Sequence, residues 1–283
     1  MNYRHVYHAG NFADVLKHVT LTGLILALLR KDTPFCYLDT HAGTGYYDLL
    51  SETAQKNQEH AQGILKLLQQ DHAPVLIKRY LGCIRQVNNR LSQSRFASFR
   101  YYPGSPYIVR NFLRTKDRMI LCELQPQDYQ ILKAAFNTDQ QVAIHHADGF
   151  LGLKAFLPPR EHRGLVLIDP PYENPNEWMR IASALPLALK RWETGIYAIW
   201  YPIKERRPIE QLHQHLRKTI KKPILLIELI IYPETIPNYL YGCGMLCINP
   251  PWQFQKEINA MLPWLWKILT TDRQGSYRCH LLK

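Results

Sequence analysis

The chain changes hydrophobic period several times, and each change marks an element. Asn11 stands before Ala13-Asp14-Val15-Leu16-Lys17-His18, and the pattern runs on to about Arg30. This predicts a helix whose first free amides Asn11 caps, with Asp14 three residues on. The next apolar run, Phe35-Cys36-Tyr37-Leu38-Asp39, is short and unbroken, as in a buried strand, and it breaks into His41-Ala42-Gly43-Thr44-Gly45. Between Ser51 and Arg95 the period is helical, with stripes Ile64-Leu65-Leu67-Leu68 and Leu76-Ile77-Tyr80-Leu81-Ile84. No strand stands out there.

Beyond residue 100 the pattern alternates. Strands are predicted at 119–124, 142–146, 165–169, 195–201, 224–232 and 244–248, and helices at 106–114, 127–136, 149–156, 175–190 and 209–220. With 35–39 this gives seven strands. Continuous apolar strands alternating with helices predict an α/β fold with a mostly parallel sheet covered on both faces. The last two strands are joined by about a dozen residues without helical pattern, which predicts a terminal hairpin.

Composition narrows the classes. The 283 residues allow one large domain or two ordinary ones, and 46% hydrophobic with 20% charged residues excludes a disordered chain. The longest apolar stretch, 21–29, is interrupted by Thr22 and Gly23 and falls short of the ~20 residues of a bilayer span. Met1-Asn2-Tyr3-Arg4-His5 lacks the pattern of a signal peptide, so the expectation is a cytoplasmic protein without a membrane partner. The six cysteines are dispersed without a Cys-x-x-Cys pair, which predicts free thiols. The net charge of +12 favours a polyanion partner, most often nucleic acid, although a solvated basic face gives the same number.

Four features carry candidate chemistry, each directly after a strand. Asp39-Thr40-His41-Ala42-Gly43-Thr44-Gly45 lets backbone approach a nucleotide-like cofactor closely, either S-adenosylmethionine or a dinucleotide. A full Gly-x-Gly-x-x-Gly is missing, and a plain tight turn reads the same. Glu123 ends the next strand, where an acid can take both ribose hydroxyls. It follows the glycine loop by far more than the usual ~20 residues, so 46–101 reads as an inserted helical subdomain. The main domain is then 1–45 with 102–283. Asp148-Gly149 can pair with an adenine amino group and ring nitrogen, or Asp148 simply caps the helix. Ser105 before Pro106 is likewise an ordinary cap and first-turn pair.

The fourth feature is Leu165-Val166-Leu167-Ile168-Asp169-Pro170-Pro171-Tyr172. An exocyclic amine on adenine or cytosine is a poor nucleophile because its lone pair is delocalised. Asp169 and the Pro170 carbonyl can accept its hydrogens and turn the lone pair toward an electrophilic methyl group, while Tyr172 offers a stacking face to an extruded base. Ile248-Asn249-Pro250-Pro251-Trp252 is a rival copy. It follows the last predicted strand, away from the glycine loop, and reads as a structural turn. Twelve histidines, His5 and His8 among them, come without the clustered ligands of a metal site.

These pieces together resemble an S-adenosylmethionine-dependent amino-methyltransferase and, more closely, the RlmJ family. The likeness is carried by Tyr3-Arg4-His5, His8-Ala9-Gly10-Asn11-Phe12-Ala13-Asp14-Val15-Leu16-Lys17-His18, Tyr37-Leu38-Asp39-Thr40-His41-Ala42-Gly43, Tyr102-Pro103-Gly104-Ser105-Pro106 and Ile168-Asp169-Pro170-Pro171-Tyr172. It implies a Rossmann-like class I methyltransferase fold and methylation of N6 of one adenine in 23S ribosomal RNA, by a monomer without metal, leaving S-adenosylhomocysteine. It further implies cofactor contacts at His18, His41, Ser105, Glu123, Asp148, Gly149 and Asp169. Asp169 would also be the catalytic acceptor, Tyr3 would meet the RNA, and Lys17 would lie at the mouth of the site. A DNA adenine-N6 or cytosine-N4 methyltransferase shares the motif. A nicotinamide oxidoreductase or a non-catalytic RNA-binding module are alternatives of other classes.

Overall fold

In the computed structural model, which describes residues 4–92, 99–233, 239–270 and 274–282, helix α1 (Phe12–Leu29) opens at Asn11. The Asn11 side chain accepts from the amides of Ala13 and Asp14, both at 3.0 Å. Tyr3 lies outside the described residues. Helix α1 is apolar nearly all round because it is wrapped on every side. By length and hydropathy it could cross a membrane, but 89% of it is buried inside the protein, as in a core helix.

The strands are β1 (Cys36–Asp39), β2 (Tyr46–Asp48), β3 (Tyr101–Pro103), β4 (Arg118–Glu123), β5 (Val142–His146), β6 (Gly164–Ile168), β7 (Ile196–Ile203), β8 (Ile224–Ile230), β9 (Gly242–Ile248) and β10 (Ser276–Leu281). All but β2 and β3 form one sheet, ordered β10-β8-β9-β7-β6-β1-β4-β5. From β5 to β7 neighbours run parallel. Strand β9 lies antiparallel between β7 and β8, and β10 pairs antiparallel with β8 at the edge. The connection order reverses between β1 and β6, and the carboxyl ends of β1, β4, β5 and β6 share one edge. Ligands bind open parallel sheets at such a switch point.

The other helices are α2 (Glu52–Asn57), α3 (Ile64–Leu68), α4 (Val75–Leu91), α5 (Ser105–Phe112), α6 (Pro126–Ala135), α7 (Gly149–Phe156), α8 (Asn176–Arg191), α9 (Arg206–Thr219) and α10 (Phe254–Leu269). One face of the sheet packs under α1, α4, α5 and α10, the other under α7, α8 and α9. Helices α2–α4 occupy the segment 46–101, and the β2–β3 ribbon ties its ends together, Tyr47 opposite Tyr102. The buried face of α4, Ile77, Tyr80, Ile84 and Val87, belongs to the same core as α1.

Two differences from the sequence expectation stand out. The main sheet has eight strands where seven were expected, and the β8–β9 hairpin is not terminal, because α10 and β10 follow it. Strand β10 is exposed at every position but Cys279, which is half-buried, so no apolar alternation marks it. Pro263 inside α10 breaks the signal of a helix that is otherwise well buried.

Candidate active site

Every described residue singled out above as a candidate site residue lines one cleft at the carboxyl edge of β1, β4, β5 and β6: Lys17, His18, His41, Ser105, Glu123, Asp148, Gly149, Asp169, Pro170 and Tyr172. Asn249 lies at the opposite edge. Strand β9 runs antiparallel, so its end sits beside the start of β7, where the Asn249 amide donates to the carbonyls of Glu193 and Gly195 at 2.9 and 2.7 Å. With φ of +56° it is a left-handed turn residue, a conformation asparagine tolerates. The two Pro-Pro motifs are thus separated by the length of the sheet.

The glycine loop is built around two buried carboxylates. Asp39, fully buried, accepts from the Tyr37 hydroxyl at 2.7 Å, the Ser105 hydroxyl at 2.6 Å and the His41 amide at 3.2 Å. Burial nevertheless raises its pKa. Ser105 does not cap its helix: Gly104 holds the N-cap position, and the Ser105 hydroxyl is spent on Asp39. Glu123 is fixed by the amides of Gly43 at 2.8 Å and Gln125 at 2.7 Å, and burial raises its pKa too. Gly43 has φ of +63°, and a Cβ there would sit 2.6 Å from the Tyr47 hydroxyl. Only glycine keeps the turn and the room beside it.

Gly149 answers a tighter demand. A Cβ on it would lie 2.0 Å from the Thr40 carbonyl oxygen, so α7 starts hard against the glycine loop. Asp148 caps α7, accepting from the Phe150 amide at 2.8 Å, and its other oxygen takes Arg180 Nη2 at 2.5 Å. Burial pushes this carboxyl up, but the Arg180 hydrogen bond and the cap amides bring it below its ordinary value. The Arg180 guanidinium rests over the Phe150 ring at 4.3 Å.

A charged cluster closes the floor. Lys17, expected at the mouth, is 5% exposed and bridges Asp169 at 2.6 Å and Asp14 at 2.8 Å. Asp14 also accepts from the Gly10 amide and His5, each at 2.9 Å. Burial disfavours both charges, yet Asp14 and Asp169 hold Lys17 well above its ordinary pKa value, and His5 with Lys17 holds Asp14 well below its own. His18 and His41 have neutral rings: burial lowers them to about 3 and about 4. His18 Nδ1 lies 2.7 Å from the Tyr102 hydroxyl, which in turn meets Tyr80 of α4 at 3.0 Å.

Tyr172 is held at φ of +53°, strained for an aromatic residue. Its hydroxyl donates to the Trp200 carbonyl at 2.6 Å, and its ring meets Trp178 and Trp200 with centroids at 4.7 and 5.8 Å. Sequence reasoning missed Asp14, Trp200, Glu177 and Arg180. For Asp14 a signal existed: an acid three residues before a lysine, inside an otherwise apolar helix. His5 and His8 pair with Asp14 and Glu59, and among the described residues no three His, Cys, Asp or Glu side chains are grouped to hold a metal ion.

Comparison with known proteins finds relatives along nearly the whole chain. A family profile described as "Ribosomal RNA large subunit methyltransferase D, RlmJ" matches residues 32–282. The chain is 44% identical to the ribosomal RNA large subunit methyltransferase J of Escherichia coli K12, over 94% of this chain and 92% of the relative. It is 41% identical to the protein of the same name from Haemophilus influenzae, over 98% and 97%. A solved Legionella pneumophila structure superposes with a TM-score of 0.87 at 38% identity, covering 97% of this chain and 98% of that one.

Proposed function

This chain belongs to the RlmJ family of large-subunit ribosomal RNA methyltransferases, and on that premise we propose that it methylates N6 of an adenine in 23S ribosomal RNA, using S-adenosylmethionine. The observation that carries the reading is a single cleft in which Asp169-Pro170-Pro171-Tyr172 faces the glycine loop, Glu123 and Asp148. The residues fit the cofactor. Gly43 and Gly149 let the glycine loop and α7 pack closely at the cleft wall, and Glu123 is oriented by two amides to receive hydroxyl donors. Asp148, which caps α7 and is held by Arg180, is the carboxylate placed to take an amino group, and His18, His41 and Ser105 complete the lining.

S-adenosylmethionine, when bound, supplies an electrophilic methyl group on its sulfonium. The protein's part is orientation and polarisation. Lys17 engages Asp169 Oδ2, so Oδ1 is the oxygen left to accept from the adenine amino group, together with the Pro170 carbonyl. Drawing both hydrogens toward fixed acceptors localises the nitrogen lone pair, and Asp169 accepts the proton released after transfer. Tyr172, anchored at its hydroxyl and flanked by Trp178 and Trp200, presents a face for the extruded base, and Tyr3 meets the RNA outside the described residues. Segment 46–101 acts as an insertion that buttresses α1. The enzyme works as a cytoplasmic monomer.

The test is transfer of labelled methyl from S-adenosylmethionine to unmodified 23S RNA, with duplex DNA in parallel and nucleoside analysis of the products. N6-methyladenosine in RNA alone is expected. Label in DNA alone, or modified cytosine, would overturn the assignment.

A further inference from the structure

Glu177, in the first turn of α8, lines the same cleft but takes no part in the chemistry above. It is 7% exposed, and its Oε2 has no hydrogen-bond partner among the described residues. The Tyr172 backbone amide faces its carboxyl group and favours the charged form, so Glu177 lies against the strained residue that carries the stacking ring. A buried carboxyl oxygen without a donor is costly, and burial lifts this group to about 7.

The donor that could satisfy it stands three residues on, along the same face of α8. Arg180 is turned instead to Asp148, and its side chain is 44% exposed, free to change rotamer. In the reading proposed above, on which this inference rests, Asp148 receives the adenine amino group of the cofactor. Its outer oxygen, Oδ2, is the one Arg180 now occupies, because Oδ1 is held by the α7 cap.

We propose that Arg180 is a positioning residue with two stations: it holds Asp148 until the cofactor's amino group claims that carboxylate, then passes to Glu177. The transfer ties cofactor binding to the Tyr172 platform, because the Glu177 carboxyl faces the Tyr172 backbone amide. It also ionises Glu177, so binding releases a proton. The other groups facing the pair are Glu173, which disfavours ionisation of Glu177, the Tyr172 hydroxyl, and His41, whose ring is neutral near pH 7.

The experiment is calorimetric titration of S-adenosylhomocysteine into the full chain at pH 6.5 and 8.5, in buffers of different ionisation enthalpy. The wild type should release roughly half a proton or more at pH 6.5 and almost none at pH 8.5, with affinity rising about tenfold from pH 6 to pH 8. Glu177→Gln should bind the same ligand with no proton release and no such pH dependence. Arg180→Gln should also bind without release, since the side chain that draws off the proton is gone. Binding by the wild type without release, or equal release by Glu177→Gln, overturns the relay and leaves the functional reading standing. Failure of the wild type to bind at all overturns the functional reading, and the relay with it.

Discussion

At the scale of single residues, Asp169 and Lys17 touch one another but answer to different demands. Asp169→Ala removes the acceptor proposed to orient the amino group, yet Lys17 keeps Asp14 at 2.8 Å. The variant should therefore lose at least about 100-fold in methyl transfer while its melting temperature stays within a few degrees. A single-turnover rate near wild type would remove Asp169 from the mechanism. Lys17→Met does the reverse to the fold, leaving the buried Asp14 with only His5 and the Gly10 amide, and the half-buried Asp169 without its cation. Breaking a buried pair this way costs about 3–5 kcal/mol, and a chemical denaturation curve unchanged in midpoint would show that the cluster is not the anchor described here. The pH dependence has a definite sign. Asp14 sits below its unfolded value despite burial, so its contribution is present above about pH 4 and lost as pH falls through the folded value. Stability should begin to fall below about pH 6.5, because the buried rings of His18 and His41 stay neutral while their unfolded counterparts take up protons, and fall more steeply below 4, where Asp14→Asn should show a shallower limb.

Among elements, the tightest constraint lies where α7 meets the glycine loop. Gly149→Ala would put a methyl group 2.0 Å from the Thr40 carbonyl, and because backbone cannot yield as a side chain can, α7 must move. Asp148 moves with it. The expected outcome is weaker S-adenosylhomocysteine binding by tenfold or more together with a lower melting temperature, whereas Gly82→Ala, with open space around it, should cost nothing. Contacts of this kind decide what a sequence reveals. Strands β1, β4 and β6 were legible because parallel strands inside the sheet are buried on both sides and read as unbroken apolar runs ending in loops rich in Gly, Asp and Pro. Strand β10 was not, being exposed on an edge, nor α10, with a proline inside its stripe. The cleft residues that sit just past a strand end were found by that position. Arg180 and Glu177 were not, because a charged pair in the first turns of a helix looks like any solvated face. Ser105 was read as a helix cap because nothing local shows that Asp39 lies within reach of its hydroxyl.

On the whole molecule, the charge is divided by place. The chain is +12, yet the cleft is lined by Asp14, Glu123, Asp128, Asp148, Asp169 and Glu177 against Lys17, Arg180 and Lys204. The basic excess therefore lies outside it, and a phosphate backbone is repelled from the floor and expected to track the basic surface beyond it. Only a base, which carries no formal charge, enters without that penalty, which suits extrusion of a single nucleotide. RNA affinity and cofactor affinity should then respond differently to salt. With about six phosphate contacts, RNA binding should weaken roughly 300-fold between 50 and 200 mM salt, while S-adenosylhomocysteine binding changes by less than twofold. Lys204, exposed where the cleft opens, stands among the rim cations, and Lys204→Ala should reduce the salt slope by about one without altering cofactor affinity. Equal salt dependence for both ligands would mean that the basic excess does not serve the RNA, and the division of charge between rim and floor would lose its purpose.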